Sequence, residues 1–284
     1  QTRISRYGAM PVSFSMDCFG PLARTPRDVA RLMQIAAGYD ARDPTSSRQP
    51  VPNYEAALTG DLKGLRVGVP LNHYYEPGID ADVERAMRAS LDALVAAGAE
   101  LVEIQVPDHK PLIDFGTMVT FVEAAVVHKQ WMNERPQDYS PQGLARLELG
   151  LGYPASAYLE ALQLRPVLVQ GFIDQVFGVC DVLHTPTSPF GPKTVEESDV
   201  GASADLVTFL NNIGHCTRAV SYLGLPAISV PAGFSDTGMP IGFQLVGRPF
   251  DEAGLLRTAH LYEQSVGGLL GGVTPDQPRE RRTA

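Results

Sequence analysis

The chain has 284 residues, 44% hydrophobic and 19% charged, which fits one large or two ordinary globular domains and excludes a disordered or fibrous polymer. Its 23 Lys and Arg against 32 Asp and Glu give a formal net charge of -9, which opposes nonspecific adhesion to nucleic acid or anionic lipid. Three widely spaced cysteines, Cys18, Cys180 and Cys216, argue against a disulfide framework or a zinc finger and suit a reducing, cytoplasmic setting, while the most apolar stretch, Leu112 to Val127, carries Asp114 and Glu123 and predicts no membrane span.

In chain order, a polar opening with neither initiator Met nor leader makes Gln1 read as an interior starting point of a longer chain. A helix is predicted over Pro26 to Gly38, with Thr25 as N-cap and Pro26 at its first position. Leu65 to Val69 reads as a strand, about Asp80 to Ala97 as a helix stopped by Gly98, and Leu101 to Val106 as a second strand. Residues 112–133 read as a Val- and Ala-rich helix, and Leu144 to Leu151 as a shorter one. Ala155 to Val179 is a long helical pattern that Pro166 either kinks or divides. The strand Asp181 to Thr185 then runs into a Pro/Gly/Ser loop. A helix follows around Ala204 to Val220, then strands Ala227 to Val230 and Ile241 to Val246 as antiparallel neighbours, and a last helix from Asp251 to Ser265. Helices alternating with short buried strands predict an α/β fold with a mixed sheet covered by helices.

Phosphate-loop, dinucleotide, HExxH, EF-hand and GxSxG patterns are all missing, and the six scattered histidines show no ligand spacing, so neither metal nor cofactor is expected. His215 and Cys216 are sequence neighbours that rarely face each other, and nothing supplies a third orienting group for a Cys/His couple.

The segment Gly8 to Asp28 carries Gly8, Pro11, Ser13, Ser15, Asp17, Gly20, Pro21, Ala23, Arg24 and Asp28, the fixed elements of a pattern typical of the amidase signature family. Asp181-Val182-Leu183 followed by Thr185-Pro186-Thr187, then Gly224 to Gly233 including Pro226, then Pro240 to Gly247, resemble further family motifs in the right order. The resemblance implies an amidase-signature-like α/β fold, incomplete at the N-terminus. Residues 1–268 would be the C-terminal part of an amidase domain and 269–284, with the basic run Arg279 to Arg282, a flexible tail.

The family's machinery is a Ser nucleophile, a second Ser and a Lys, with backbone N–H groups holding the oxyanion. The resemblance places all three side chains upstream of Gln1, so no catalytic residue is assigned here, and Lys63, Lys110, Lys129, Lys193, Ser13 and Ser15 are not promoted. Substrate-binding candidates are Asp17, beside the expected signature block; Arg165, similar to an Arg that grips a substrate carboxylate in tRNA amidotransferase A-subunits; and Thr187, beyond a strand end. Each has a structural alternative: a loop brace, an intraprotein partner, a strand stop. Gly20, Pro21, Arg24, Asp28, Gly224, Pro226 and Gly233 are structural motif positions, with Arg24 and Asp28 expected to fix the loop to a helix start.

Where relatives have a Thr, a Pro two positions later and an Asn two beyond, this chain reads Thr217-Arg218-Ala219-Val220-Ser221, and Gly214-His215-Cys216 stands where glutamine-using members carry an acid. The expected activity is hydrolysis of a carboxylic amide to acid plus ammonia or amine, by a parent enzyme whose catalytic block this chain lacks. The alternatives are a noncatalytic fragment or scaffold and a glutamine-dependent tRNA amidotransferase A-subunit. The expected partner is a small-molecule amide, with no direct nucleic acid and no membrane; the oligomeric state is open, a homodimer included.

Overall fold

A computed structural model describes residues 1–75 and 78–268. The expected tail and its basic run lie outside the described residues. The elements are α1 (Pro26–Ala36), β1 (Arg66–Pro70), α2 (Ala81–Ala96), β2 (Glu100–Ile104), α3 (His109–Glu134), α4 (Pro141–Glu148), α5 (Ala155–Phe177), β3 (Val182–Pro186), α6 (Val195–Ser198), α7 (Leu206–Gly214), α8 (Arg218–Leu223), β4 (Ala227–Phe234), β5 (Pro240–Val246) and α9 (Glu252–Ser265).

The strands form one mixed sheet in the order β2-β1-β3-β5-β4. β1 is parallel to β2 and β3, which puts α2 and the long helical stretch in the crossovers, while β5 runs antiparallel to β3 and β4. The two-residue period of the strands sends side chains to two separate cores. Val182, Phe243 and Leu245 pack with Val83, Met87 and Leu94 of α2 and Leu255 of α9, whereas Leu183 and Val246 pack with Val119 of α3, Phe172 of α5 and Tyr222 of α8. α2 meets the sheet because Val83, Ala86, Met87, Ser90 and Leu94 recur on one helical face.

The sequence reading expected a sheet left incomplete at its N-terminal side. Instead the described strands form one continuous five-stranded sheet with helices on both faces, and the segment before α1 packs into this fold, Ile4 bridging to Ala37 and buried Arg3 pairing with Glu252 at 3.3 Å.

Three further differences have local causes. α5 runs unbroken through Pro166, which sits on an exposed face. The helix expected over residues 204–220 is two, α7 and α8. The backbone turns at His215 to Thr217, where the Cys216 carbonyl accepts from Gln244 Nε2 at 2.7 Å. α3 is long and apolar enough to cross a membrane by length and composition, contrary to expectation, yet half of its apolar window is buried against this fold, Glu123 included.

Candidate functional site

The loop carrying Ser13, Ser15 and Asp17 is held from below by a carboxylate that sequence reasoning missed. Glu123 of α3 is fully buried; it accepts from Ser13 Oγ at 2.6 Å, the Ser15 N–H at 2.9 Å and the Tyr158 hydroxyl at 2.8 Å. A buried acid is tolerated when its lone pairs are met by donors, as these are. Asp17 closes the same loop, its Oδ2 accepting from the N–H groups of Val12 and Ser13 at 2.8 and 3.0 Å. It borders an open groove of about 560 Å³ with Arg6, Phe14 and Arg42.

Arg165 reaches the loop from α5. Its Nη1 donates to the Ser15 carbonyl at 3.0 Å, its Nη2 to Gln1 Oε1 at 2.8 Å and its Nε to the Tyr222 carbonyl, while the guanidinium lies 5.5 Å from the centre of the Tyr222 ring. Three protein acceptors therefore take up its fork. Gln1 Nε2 in turn donates to the Met16 and Ser221 carbonyls at 2.8 and 3.2 Å, so the motif loop, α5 and α8 meet at one junction. Gly224 ends α8 at φ 70°, where a Cβ would lie 3.0 Å from Gln1 Oε1 and 3.3 Å from Arg165 Nη2.

Thr187 stands beyond β3 in a second cleft of about 340 Å³, its hydroxyl 3.2 Å from Ser229 Oγ. The three sequence-predicted substrate residues thus occupy three places: Asp17 a groove, Arg165 a junction, Thr187 a cleft. Among the structural positions, Asp28 takes part in capping α1, its N–H donating to Thr25 Oγ1 at 3.1 Å and its Oδ2 accepting back at 2.9 Å. Arg24 is exposed and makes no described polar contact. Pro226 accepts the Gly247 N–H at 3.0 Å, Gly233 at φ 139° follows a bulge in β4, and Gly20 and Pro21 lie in the loop before α1.

A third cavity, of about 310 Å³, lies beside Met16 between α3, α4 and the α7–α8 turn, and shares Ile213 with the Thr187 cleft. Its wall carries Arg218 and Arg146. Arg218 Nη1 donates to Thr117 Oγ1 at 2.6 Å and Nη2 to the Leu210 carbonyl at 3.1 Å. Glycines make room for it: a Cβ on Gly214 would stand 2.6 Å from Arg218 Nη2, and one on Gly116 3.3 Å from Arg218 Cγ. Burial, followed by the nearby positive charge of Arg146, draws the Arg218 pKa down from its ordinary value. The departure from the family pattern at Thr217-Arg218 was visible in the sequence; that it faces a cavity was not.

The histidines scattered in sequence converge in space. The His73 ring stacks on His109 and lies tilted against His215, each at 4.2 Å between ring centres, with His109 Nε2 and the Tyr74 hydroxyl 2.8 Å apart. Burial first, then the charges of His109 and His215, lower the His73 pKa to about 3. His184 on β3 is fully buried between Tyr75 and Ser90, at 2.8 and 2.9 Å, and burial lowers its pKa to about 3. Ser90 Oγ donates to the Met87 carbonyl at 2.8 Å, so it accepts from His184 Nε2 and is not activated by it. Cys216 is buried, its thiol pushed up to about 12 by desolvation, and the His215 ring turns to the His73 carbonyl instead. Among the described residues no group of three His, Cys, Asp or Glu is arranged to hold a metal ion.

A mixed sheet between two helical layers, with the Ser13–Asp17 loop held on the buried Glu123, defines an α/β protein. The Amidase family profile matches residues 1–256, and the chain belongs to that family. It is 37% identical to the A-subunit of a glutamyl-tRNA(Gln) amidotransferase from Chloroflexus aggregans, over 92% of this chain and 57% of the relative. Among solved structures it is similar to a vestigial protein complex tied to the evolutionary origins of an s-triazine catabolic enzyme, with a TM-score of 0.80 and 26% identity over 94% of this chain and 57% of that one. It is also similar to the A-subunit of the glutamyl-tRNA(Gln) amidotransferase from Thermotoga maritima, with a TM-score of 0.74 and 26% identity over 93% of this chain and 56% of that one.

These findings correct the expectation of a fragment, an amidase-signature fold incomplete at its N-terminus and without its catalytic block. The family match begins at the first residue and covers 256 of the 284, so the amidase-signature α/β fold runs along nearly the whole chain. The chain spans about 57% of the length of curated relatives it matches.

Proposed function

We propose that this chain serves an enzyme that breaks a carboxylic C–N amide bond, in the manner of an amidotransferase A-subunit. The observation that carries this reading is the family match over residues 1–256, joined by curated A-subunit relatives at 33–37% identity over at least 92% of the chain. On this reading the Ser13–Asp17 loop floors the site. Glu123 and Arg165 hold that loop in place through the Ser13 hydroxyl, the Ser15 N–H and the Ser15 carbonyl, and Asp17 and Thr187 border the approaches. The protein works in the cytoplasm on a small-molecule amide, with partner subunits if it transfers the nitrogen.

A second reading, hydrolysis of an amide other than glutamine, is favoured by one observation. Among the described residues no acid lines the cavity beside Arg218, so an amino-acid ammonium finds no counter-charge from them there. Ammonia release by the whole protein tests both, with L-glutamine and glutaramate as substrates, which differ only in the α-ammonium. Release from glutamine at a comparable or higher kcat/KM supports the amidotransferase reading, and a clear preference for glutaramate supports the second. No ammonia from any carboxamide would end both.

A further inference from the structure

We infer that the cavity between α3, α4 and the α7–α8 turn is a carboxylate-binding subsite, so that the amide accepted by this protein carries a second, anionic carboxyl group. The inference deepens the amide-cleavage reading and rests on it. Its starting point is a pair of like charges. Arg218 and Arg146 line one cavity of about 310 Å³, near enough for the second to disfavour the charge of the first, and among the described residues neither has a carboxylate within ion-pair distance. Most other arginines differ: Arg3, Arg27, Arg31, Arg66 and Arg85, for example, each face an acid at 3.5 Å or less. Two like charges lining one cavity, the exposed Arg146 with its guanidinium 5.9 Å from the Phe121 ring centre and the more buried Arg218, are unfavourable until an anion binds beside them.

The position of Arg218 is built. Its guanidinium lies against Gly214, where any Cβ would collide with it at 2.6 Å, and its stem passes Gly116. Thr117 and the Leu210 carbonyl hold one edge of the fork. The remaining N–H groups are left to a ligand, and a planar fork meets both oxygens of a carboxylate. Thr217 and Ser221 line the same wall with hydroxyls able to accept from an amide nitrogen or donate to an oxygen, and Thr120, whose hydroxyl donates to the Gly116 carbonyl at 2.8 Å, lines it with an acceptor. Among the described residues no Asp or Glu lines the cavity, which disfavours an ammonium or a zwitterion. The volume lies at the small end of ligand pockets and suits an acid of a few carbons.

Calorimetric titration of the full chain with succinate, its neutral diamide succinamide, and inorganic phosphate tests the assignment without requiring turnover. Succinate is expected to bind at least about tenfold more tightly than succinamide, as charge-assisted fork pairing implies. It is also expected to bind more tightly than phosphate. Arg218→Gln should weaken succinate at least about tenfold, and Arg146→Ala, at an exposed position that leaves the fold alone, by about threefold or more. Arg31→Ala, on the far helix α1, should change nothing. Equal affinity for succinate and succinamide, phosphate binding as tight as succinate, or an unchanged Kd in Arg146→Ala overturns the proposal. The two readings fail separately. Succinate binding without ammonia release from any amide rejects amide cleavage but leaves the subsite, and turnover of neutral amides without succinate binding rejects the subsite alone.

Discussion

Glu123 accepts three hydrogen bonds in a place where no water reaches it, so its replacement separates polarity from volume. Glu123→Leu strands the Ser13 hydroxyl and the Ser15 N–H and should cost about 3 kcal/mol. Glu123→Gln keeps one acceptor and should cost about 1 kcal/mol less than that. Urea unfolding of both variants checks the ranking, and equal midpoints would show that the carboxylate does not hold the loop. The sequence exposed Ser13, Ser15 and Asp17 through a motif, because a motif is a local pattern. Glu123 is 106 positions beyond Asp17 and stood out only as an acid in an apolar run, a signal whose meaning depends on what packs against it. Arg165 was legible as a motif residue, but its three acceptors come from Gln1, Ser15 and Tyr222, which only the fold brings together.

The helices and strands followed from periodicity and capping wherever one face was apolar. α1 starts where the Thr25-Pro26 pair placed it, and Thr25→Ala should cost about 1 kcal/mol through the lost N-cap. A thermal melt unchanged by that substitution would deny the cap its role. The contacts between elements were less legible. Gly150, in the turn after α4, lies so close to α3 that a Cβ would stand 2.0 Å from the Phe121 carbonyl oxygen. Gly150→Ala must separate the two segments and should cost about 3 kcal/mol, read as a lowered urea midpoint; a midpoint within error of the parent would contradict the close approach. No sequence pattern marks such a glycine, since its reason is the neighbouring backbone. The break between α7 and α8 was missed for the same kind of reason: residues 204–220 continue a helical pattern, but Gln244 on β5 captures the Cys216 carbonyl and Arg218 folds back over Gly214.

Over the whole molecule, imidazole rings sit at two structural joints. His184 occupies the middle strand between the two cores, and the stack of His73, His109 and His215 joins the loop after β1, the start of α3 and the α7–α8 turn. The ionisable groups facing that stack are Asp108, Tyr74 and Cys216; the buried Tyr74 and Cys216 are held in their neutral forms by desolvation. In the unfolded chain a histidine binds its proton near pH 6.5, whereas His73 and His184 in the folded chain do so only near 3. Between those values the unfolded state holds more protons. Stability is therefore full above about pH 6.5 and falls as the pH drops toward 3, by at most about 1.4 kcal/mol per pH unit for each ring. The carboxylates held down by arginines, Asp40 by Arg42 and Asp181 by Arg66 among them, titrate below this range, so pH 6.5 to 4.5 favours the histidine contribution. Urea midpoints across that window should decline in the parent chain and decline less steeply in His184→Gln and in His73→Gln. A flat profile in the parent, or the same slope in all three proteins, would place the acid sensitivity elsewhere in the fold.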